Sequence, residues 1–163
     1  MHITLANRNN IQEVSGVHPT KFYYTPIARS FFKARFADAL TLLGKRVGVL
    51  LDAGCGSGIF LPELAKHCDH LFSFDMHPHL NRTAEMLAAE SVNVPLVRRD
   101  ACALPFASEG MDAIVCMSVL EHLHDPKPAG EEFYRILRPG GVAVIGVPVK
   151  NLMTDVMLEA AYL

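Results

Sequence analysis

What most constrains this chain is a set of five apolar runs, at residues 47–51, 71–74, 95–97, 111–117 and 141–147, separated by stretches with helical spacing. The first, fourth and fifth runs are nearly continuous rather than alternating. An alternating strand keeps one face in water, whereas a continuous one is covered on both faces, as in a parallel sheet. Residues 59–68 place Leu61, Leu64 and Ala65 in helical register, with Pro62 in the first turn. Residues 80–89 carry Ala84, Leu87 and Ala88, and residues 131–137 carry Phe133, Ile136 and Leu137. This alternation predicts an α/β fold: a doubly wound parallel sheet with right-handed crossovers.

Ahead of the sheet, residues 27–43 read as an amphipathic helix with Phe31, Phe32, Phe36, Leu40 and Leu43 on one broad face. Residues 1 to about 20 carry no periodic signal and read as a mobile arm. The chain therefore divides into residues 1–44, an arm and helix serving as a cap or lid, and residues 45–163, the α/β core. The link DACALPFASEGMD is expected to be loop, and RPGG at 138–141 to be a stop and turn before the fifth strand. After that strand, KNLMTDVMLEAAYL begins what reads as another helix, and the sequence stops. The core is thus expected to be incomplete at its C-terminus or completed by a partner. Pairing along the open edge is the expected route to a homo-oligomer.

At 163 residues the chain fits one domain with a real core. A formal charge of -2, with Lys and Arg scattered, argues against a nucleic-acid grip. No apolar run approaches the roughly 20 residues of a membrane helix, and the polar N-terminus lacks a secretory signal. Cys55, Cys68, Cys102 and Cys116 form no C-x-x-C pair and read as free thiols, which makes the cytoplasm the default compartment.

The candidate chemistry starts at LLDAGCGSG, residues 50–58. A P-loop needs Gly-Lys-Ser/Thr at its end, and Gly58 is followed by Ile59 and Phe60. The dinucleotide pattern G-x-G-x-x-G, counted from Gly54, would need a glycine where Ile59 stands. What remains is D-x-G-x-G-x-G from Asp52 through Gly54, Gly56 and Gly58. Small residues there let a ligand lie against the backbone, and the N-terminus of the following helix favours a carboxylate. A bare strand-to-helix turn fits the same residues. Asp75 follows Asp52 by 23 positions, near the spacing at which doubly wound domains present a carboxylate to a ribose. Met76 offers a soft surface to an aromatic base. In RRDACALPF, Asp100 can accept from an exocyclic amine, and the Ala101 N–H can donate to a ring nitrogen.

LLDAGCGSG, FSFDMHP, RRDACALPF, DAIVCMSVLEHLHDP and LRPGG occur in that order. Together, over roughly residues 45–148, they resemble the class I S-adenosylmethionine-dependent methyltransferases, and within them the set that includes small-molecule and quinone O-methyltransferases. The resemblance implies a Rossmann-like sheet lacking the family's last two strands, S-adenosylmethionine as cofactor and a small-molecule methyl acceptor. It also implies that Gly54, Cys55 and Gly56 line the methionine end, with Asp52 near the ammonium group. Asp75 would hold the ribose, Met76 would lie against the adenine, Asp100 and Ala101 would read its edge, and Met117 would lie near the sulfonium.

The histidine pairs His67/His70, His77/His79 and His122/His124 match no recognised structural-zinc spacing with a Cys or acid, so no metal is expected. Glu121 and His122 fall near the expected transfer site, where His122 is a candidate base toward an acceptor hydroxyl. The other reading has both residues only shaping the loop. Methyl transfer needs alignment and exclusion of water more than a base, so no catalytic residue is assigned. Two rivals stand beside it: a non-catalytic cofactor-binding or regulatory module that needs a partner chain, and, disfavoured by Ile59, a nicotinamide-dependent oxidoreductase.

Overall fold

A computed structural model describes residues 3–12 and 23–148 of the protein. Helix α1 (Pro26–Leu43) leads into β1 (Val47–Ala53), α2 (Leu61–Leu64), β2 (Cys68–Asp75) and α3 (Leu80–Ala89). Then follow β3 (Leu96–Arg98), β4 (Met111–Met117), α4 (Lys127–Ile136) and β5 (Leu137–Gly146). The five strands form one sheet in the order β3-β2-β1-β4-β5, with every pair parallel. This is the doubly wound arrangement the apolar runs predict, and no helix among the described residues is long and apolar enough to cross a membrane.

The continuous apolar strands feed two separate cores. Leu50, Ala113 and Val115 point to one side, where they meet Leu40 and Leu43 of α1, Leu61 and Leu64 of α2, and Met86 and Leu87 of α3. Leu51, Ala53, Ile114 and Cys116 point to the other, where they meet Ala129, Phe133 and Ile136 of α4. Side chains alternate across a strand, so only a run apolar at every position can serve both layers. Each fully buried leucine contributes about 1.5–3 kcal/mol.

The structure departs from the sequence reading in four places. The helix expected over residues 59–68 is only Leu61–Leu64 followed by a single 3-10 turn, Ala65–His67. So short a helix cannot cover the sheet by itself. Residues read as a mobile arm take part of its place: Ile3, Leu5 and Ala6 are buried in the first core. In α3 the inward face is Thr83, Met86 and Leu87, while Ala84 and Ala88 are exposed. Finally, RPGG does not precede the fifth strand but bulges within it. Leu137 pairs with Met111 and Val142 with Ala113, so residues 138–141 stand opposite Asp112 alone. The bulge is held by Arg138, which donates to Asp112 at 2.8 Å. The other carboxylate oxygen of Asp112 accepts from the Val49 N–H at 2.9 Å, tying β4 to β1. The further helix expected within 150–163 lies outside the described residues.

The packed N-terminal strap is held by carboxylates. Glu63, almost fully buried, accepts from the Thr4 N–H and from the Lys66 ammonium, both at 2.8 Å. Glu90 accepts from the Asn7 N–H at 2.7 Å and the Asn10 amide at 2.8 Å. Ala6 N–H donates to the Ile59 carbonyl at 3.0 Å, and its own carbonyl accepts from the Tyr24 hydroxyl at 2.6 Å. Burial acts to raise the Glu63 pKa, but the bonds from Lys66 and Thr4 outweigh it and bring the carboxyl below its usual range. A depressed carboxyl stabilises the fold above its unfolded pKa, and that contribution fades as pH falls through the folded one. Glu63→Ala is therefore expected to cost about 1–3 kcal/mol in urea unfolding at neutral pH, with the gap from the parent protein narrowing in acid. Hydrogen exchange at the Ala6 amide should rise with it, and unchanged exchange there would show that Glu63 does not hold the strap.

Candidate functional site

Because all five strands are parallel, β1, β2 and β4 end at the same edge of the sheet, and their following loops diverge there. The order reverses between β1 and β4, the place where open α/β sheets bind ligands. A cavity of about 760 Å³ opens at this point, within the usual range for a small-molecule site.

The loop after β1 forms one wall, and its glycines have distinct reasons. Gly54 has φ +83°, and a Cβ there would collide with Val119. Gly58 has φ +73°, and a Cβ would come within 2.6 Å of Thr83 and 2.8 Å of Met86. Neither position accepts a side chain without moving the loop. The loop is fastened to the end of β2. Gly54 N–H donates to the Phe74 carbonyl at 2.9 Å, and Gly56 N–H donates to Asp75 Oδ2 at 2.7 Å. The other oxygen of Asp75 accepts from the His77 N–H at 3.0 Å. The Gly56 carbonyl faces His77 Nε2 at 2.9 Å and accepts from the Thr83 hydroxyl at 3.1 Å. Asp75 thus organises the loop, and each of its oxygens retains a free lone pair for a ligand.

Asp52, at the end of β1, is nearly buried, with Ser73 Oγ donating to Asp52 Oδ2 at 3.0 Å. Burial pushes its carboxyl up to about 7; the Ser73 bond opposes the shift and the Asp75 charge adds to it. Burial, followed by the Asp52 and Asp75 charges, also drives the Cys55 thiol far above its ordinary range. Two acidic side chains, Asp52 and Asp75, thus line the cavity.

The opposite charge comes from α1. Arg35 is the only Arg or Lys lining the cavity among the described residues. It donates to Ser118 Oγ at 3.0 Å, with its guanidinium carbon 5.9 Å from the Phe32 ring centre. Tyr23 and Phe32, with ring centres 4.2 Å apart, also line the cavity, as do His122 and Leu123. Tyr23 lines the cavity, whereas the Tyr24 hydroxyl donates to the Ala6 carbonyl.

Eight of the nine predicted residues line this one cavity: Asp52, Gly54, Cys55, Gly56, Asp75, Met76, Ala101 and Met117. Asp100 does not. It is exposed, and its carboxylate accepts from the Cys102 N–H at 2.9 Å, closing a local turn at the rim. Glu121 is exposed and does not line the cavity, whereas His122 does. The helix after the glycine loop, whose N-terminus was expected to favour a carboxylate, is only Leu61–Leu64. Arg35 and Ser118 were missed. Nothing in the helical period of α1 distinguishes Arg35 from Arg29 or Lys33, and the positive φ of Ser118 (60°) has no sequence signal.

Comparison with known proteins gives a consistent result. The methyltransferase domain family matches residues 51–145. An uncharacterised methyltransferase of Mycobacterium leprae is 31% identical over 141 residues, covering 78% of this chain and 51% of that protein. A ubiquinone biosynthesis O-methyltransferase of Xanthomonas oryzae is 33% identical over 119 residues, covering 71% of this chain and 46% of that protein. The chain therefore spans about half the length of these curated relatives. Among solved structures, a SAM-dependent methyltransferase from Aquifex aeolicus superposes with TM-score 0.64 at 20% identity, over 88% of this chain and 87% of that one. The [4+2]-cyclase SpnF superposes with TM-score 0.61 at 25% identity, over 67% and 42%. Fold, family match and a cavity at the β1/β4 switch point agree: this chain belongs to the methyltransferase domain family, the class I S-adenosylmethionine-dependent methyltransferases.

Proposed function

We propose that this chain holds S-adenosylmethionine in the β1/β4 cavity and directs its methyl group to a small-molecule acceptor. The observation that carries this reading is the cavity's division of charge. Two acidic groups of the glycine-loop side, Asp52 and Asp75, and one guanidinium, Arg35 of α1, line the cavity, which suits a ligand bearing an amino-acid zwitterion and a sulfonium. Asp52 would meet the ammonium group and Arg35 the carboxylate. Asp75 would accept from the ribose hydroxyls, Met76 would lie against the adenine, and the Ala101 N–H would donate to its ring, with Asp100 at the rim. Gly54, Cys55 and Gly56 would pass the backbone close to the methionine chain, and Met117 would pack near the sulfur.

When bound, this cofactor supplies a methyl carbon on a positively charged sulfur, which an acceptor lone pair can displace. The protein's own task is then alignment and exclusion of water. Tyr23, Phe32 and Leu123 provide an apolar wall for the acceptor, and His122 stands where it could take a proton from an acceptor hydroxyl. The likeness to a ubiquinone biosynthesis O-methyltransferase favours an oxygen atom as acceptor. A second reading, cofactor binding without methyl transfer by this chain alone, is favoured by the cyclase of the same fold, since fold does not fix chemistry.

Three outcomes test these assignments. Calorimetry is expected to show binding of S-adenosylhomocysteine, and Asp75→Ala to weaken it tenfold or more, since hydrogen bonds to a charged group are each worth about 1.5–3 kcal/mol. No binding by well-folded protein would sink the proposal. Arg35→Ala is expected to weaken S-adenosylhomocysteine but leave methylthioadenosine, which has no amino-acid end, unchanged; equal losses would place Arg35 elsewhere. The third outcome concerns pH. A carboxyl raised to about 7 binds more protons folded than unfolded, so ligand-free stability should fall as pH climbs from about 4 to 7. An ammonium ligand favours the ionised form, so affinity should rise over the same range, by up to about tenfold per pH unit. Both slopes should flatten in Asp52→Asn, and slopes that persist would assign them to another group.

A further inference from the structure

Among the described residues, one group of metal-capable side chains converges: Cys55, Asp75 and His77, whose ligand atoms all lie within 4.8 Å of one another. The sequence spacing hides it. Cys55 sits in the loop after β1, Asp75 ends β2, and His77 lies just beyond, so only the parallel pairing of β1 with β2 brings them together. All three are half-buried and line the cavity, which leaves room for a further ligand or water.

A thiolate, an imidazole and a carboxylate are the donor set of a borderline-soft divalent ion such as Zn²⁺. With bonds of about 2.0–2.3 Å, ligand atoms of a tetrahedral site lie roughly 3.3–3.8 Å apart, and the separations here are all within 4.8 Å. The electrostatics favour a cation, because Asp52 and Asp75 line the same cavity and Arg35, its one lining Arg or Lys among the described residues, belongs to α1. We propose that Cys55, Asp75 and His77 form a binding site for a thiophilic divalent cation, and that this ion and the nucleoside end of the cofactor exclude one another at Asp75. The exclusion rests on the cofactor reading of the cavity; the metal site does not.

The proton balance is defined by the hydrogen bonds. His77 Nδ1 accepts from the His79 N–H at 3.1 Å, which leaves the ring proton on Nε2, facing the Gly56 carbonyl. Binding of the ion at Nε2 moves that proton to Nδ1 and ends the His79 bond, while the Cys55 thiol releases its proton to water as sulfur bonds the metal. Exchange of the His79 amide is therefore a marker of metal binding at this ring.

Co²⁺ added alone to the full chain tests the site through its near-ultraviolet thiolate-to-cobalt charge-transfer band. We expect a band saturating at one equivalent, retained in Cys102→Ser, absent in Cys55→Ser, and with affinity lowered about tenfold or more in His77→Ala, at least the loss produced by removing an outer-shell partner. Circular dichroism confirms that each variant is folded. If Cys55→Ser does not fold, His77→Ala and the His79 amide decide. A band that is missing, or that survives loss of Cys55, overturns the site, as does metal binding without faster exchange at His79. Zn²⁺ is then expected to weaken S-adenosylhomocysteine in proportion to its concentration. Binding of both together would overturn the exclusion alone. Absence of S-adenosylhomocysteine binding in metal-free buffer would instead count against the cofactor reading and leave the cobalt result to stand by itself.

Discussion

β1 has no free side, and the remainder of the molecule is arranged to keep it that way. Its two edges are hydrogen-bonded to β2 and β4, and its two faces are buried by separate cores. A seven-residue strand so enclosed cannot slip in register, because a shift of one residue would exchange the side chains between the two cores. Asp112 reinforces the arrangement at the start of the strand by accepting from Val49 while holding Arg138 of β5. Gly48 makes that contact feasible, since a Cβ there would come within 2.6 Å of the Asp112 carboxylate.

The fixed end of β1 is what gives the site its chemistry. From it the glycine loop turns outward, and Asp75 of the neighbouring strand catches the loop at Gly56. The same carboxylate is therefore a structural clasp and the proposed ligand group. With Asp52 it gives the cavity two acidic groups, and Arg35 of α1 brings the opposite sign into the same space. Burial leaves Asp52 short of solvation, so a cationic ligand beside it would offset that cost. A metal ion and the ribose hydroxyls would both use the Asp75 carboxylate, which is why the two proposals meet at one residue.

Much of this was legible beforehand because it depends on neighbours in sequence. Continuous apolar runs marked the doubly covered strands, and β4 falls on residues 111–117 as read. The glycine loop and the acid after β2 were visible as D-x-G-x-G-x-G and FSFD. What was misread depends on neighbours in space. The segment 59–68 has helical spacing, yet the strap from Ile3 to Ala6 supplies the cover that a longer helix would give. Ala84 and Ala88 fit the helical period as well as Met86 and Leu87 do, but the larger side chains took the inward face, as burial of more apolar area favours.

The sequence by itself determined which segments become strands, the parallel and doubly wound character of the sheet, and the residues that approach its C-terminal edge. These follow from side-chain periodicity and from the few residue types that tolerate a tight loop. Only the tertiary structure decided that Arg35 faces the cavity, that Asp100 stays at its rim, and that Cys55, Asp75 and His77 meet. The reason is geometric. Adjacent strands lie about 4.8 Å apart, so residues some 20 positions distant in the chain become closest neighbours once register is fixed, and no local pattern encodes that register.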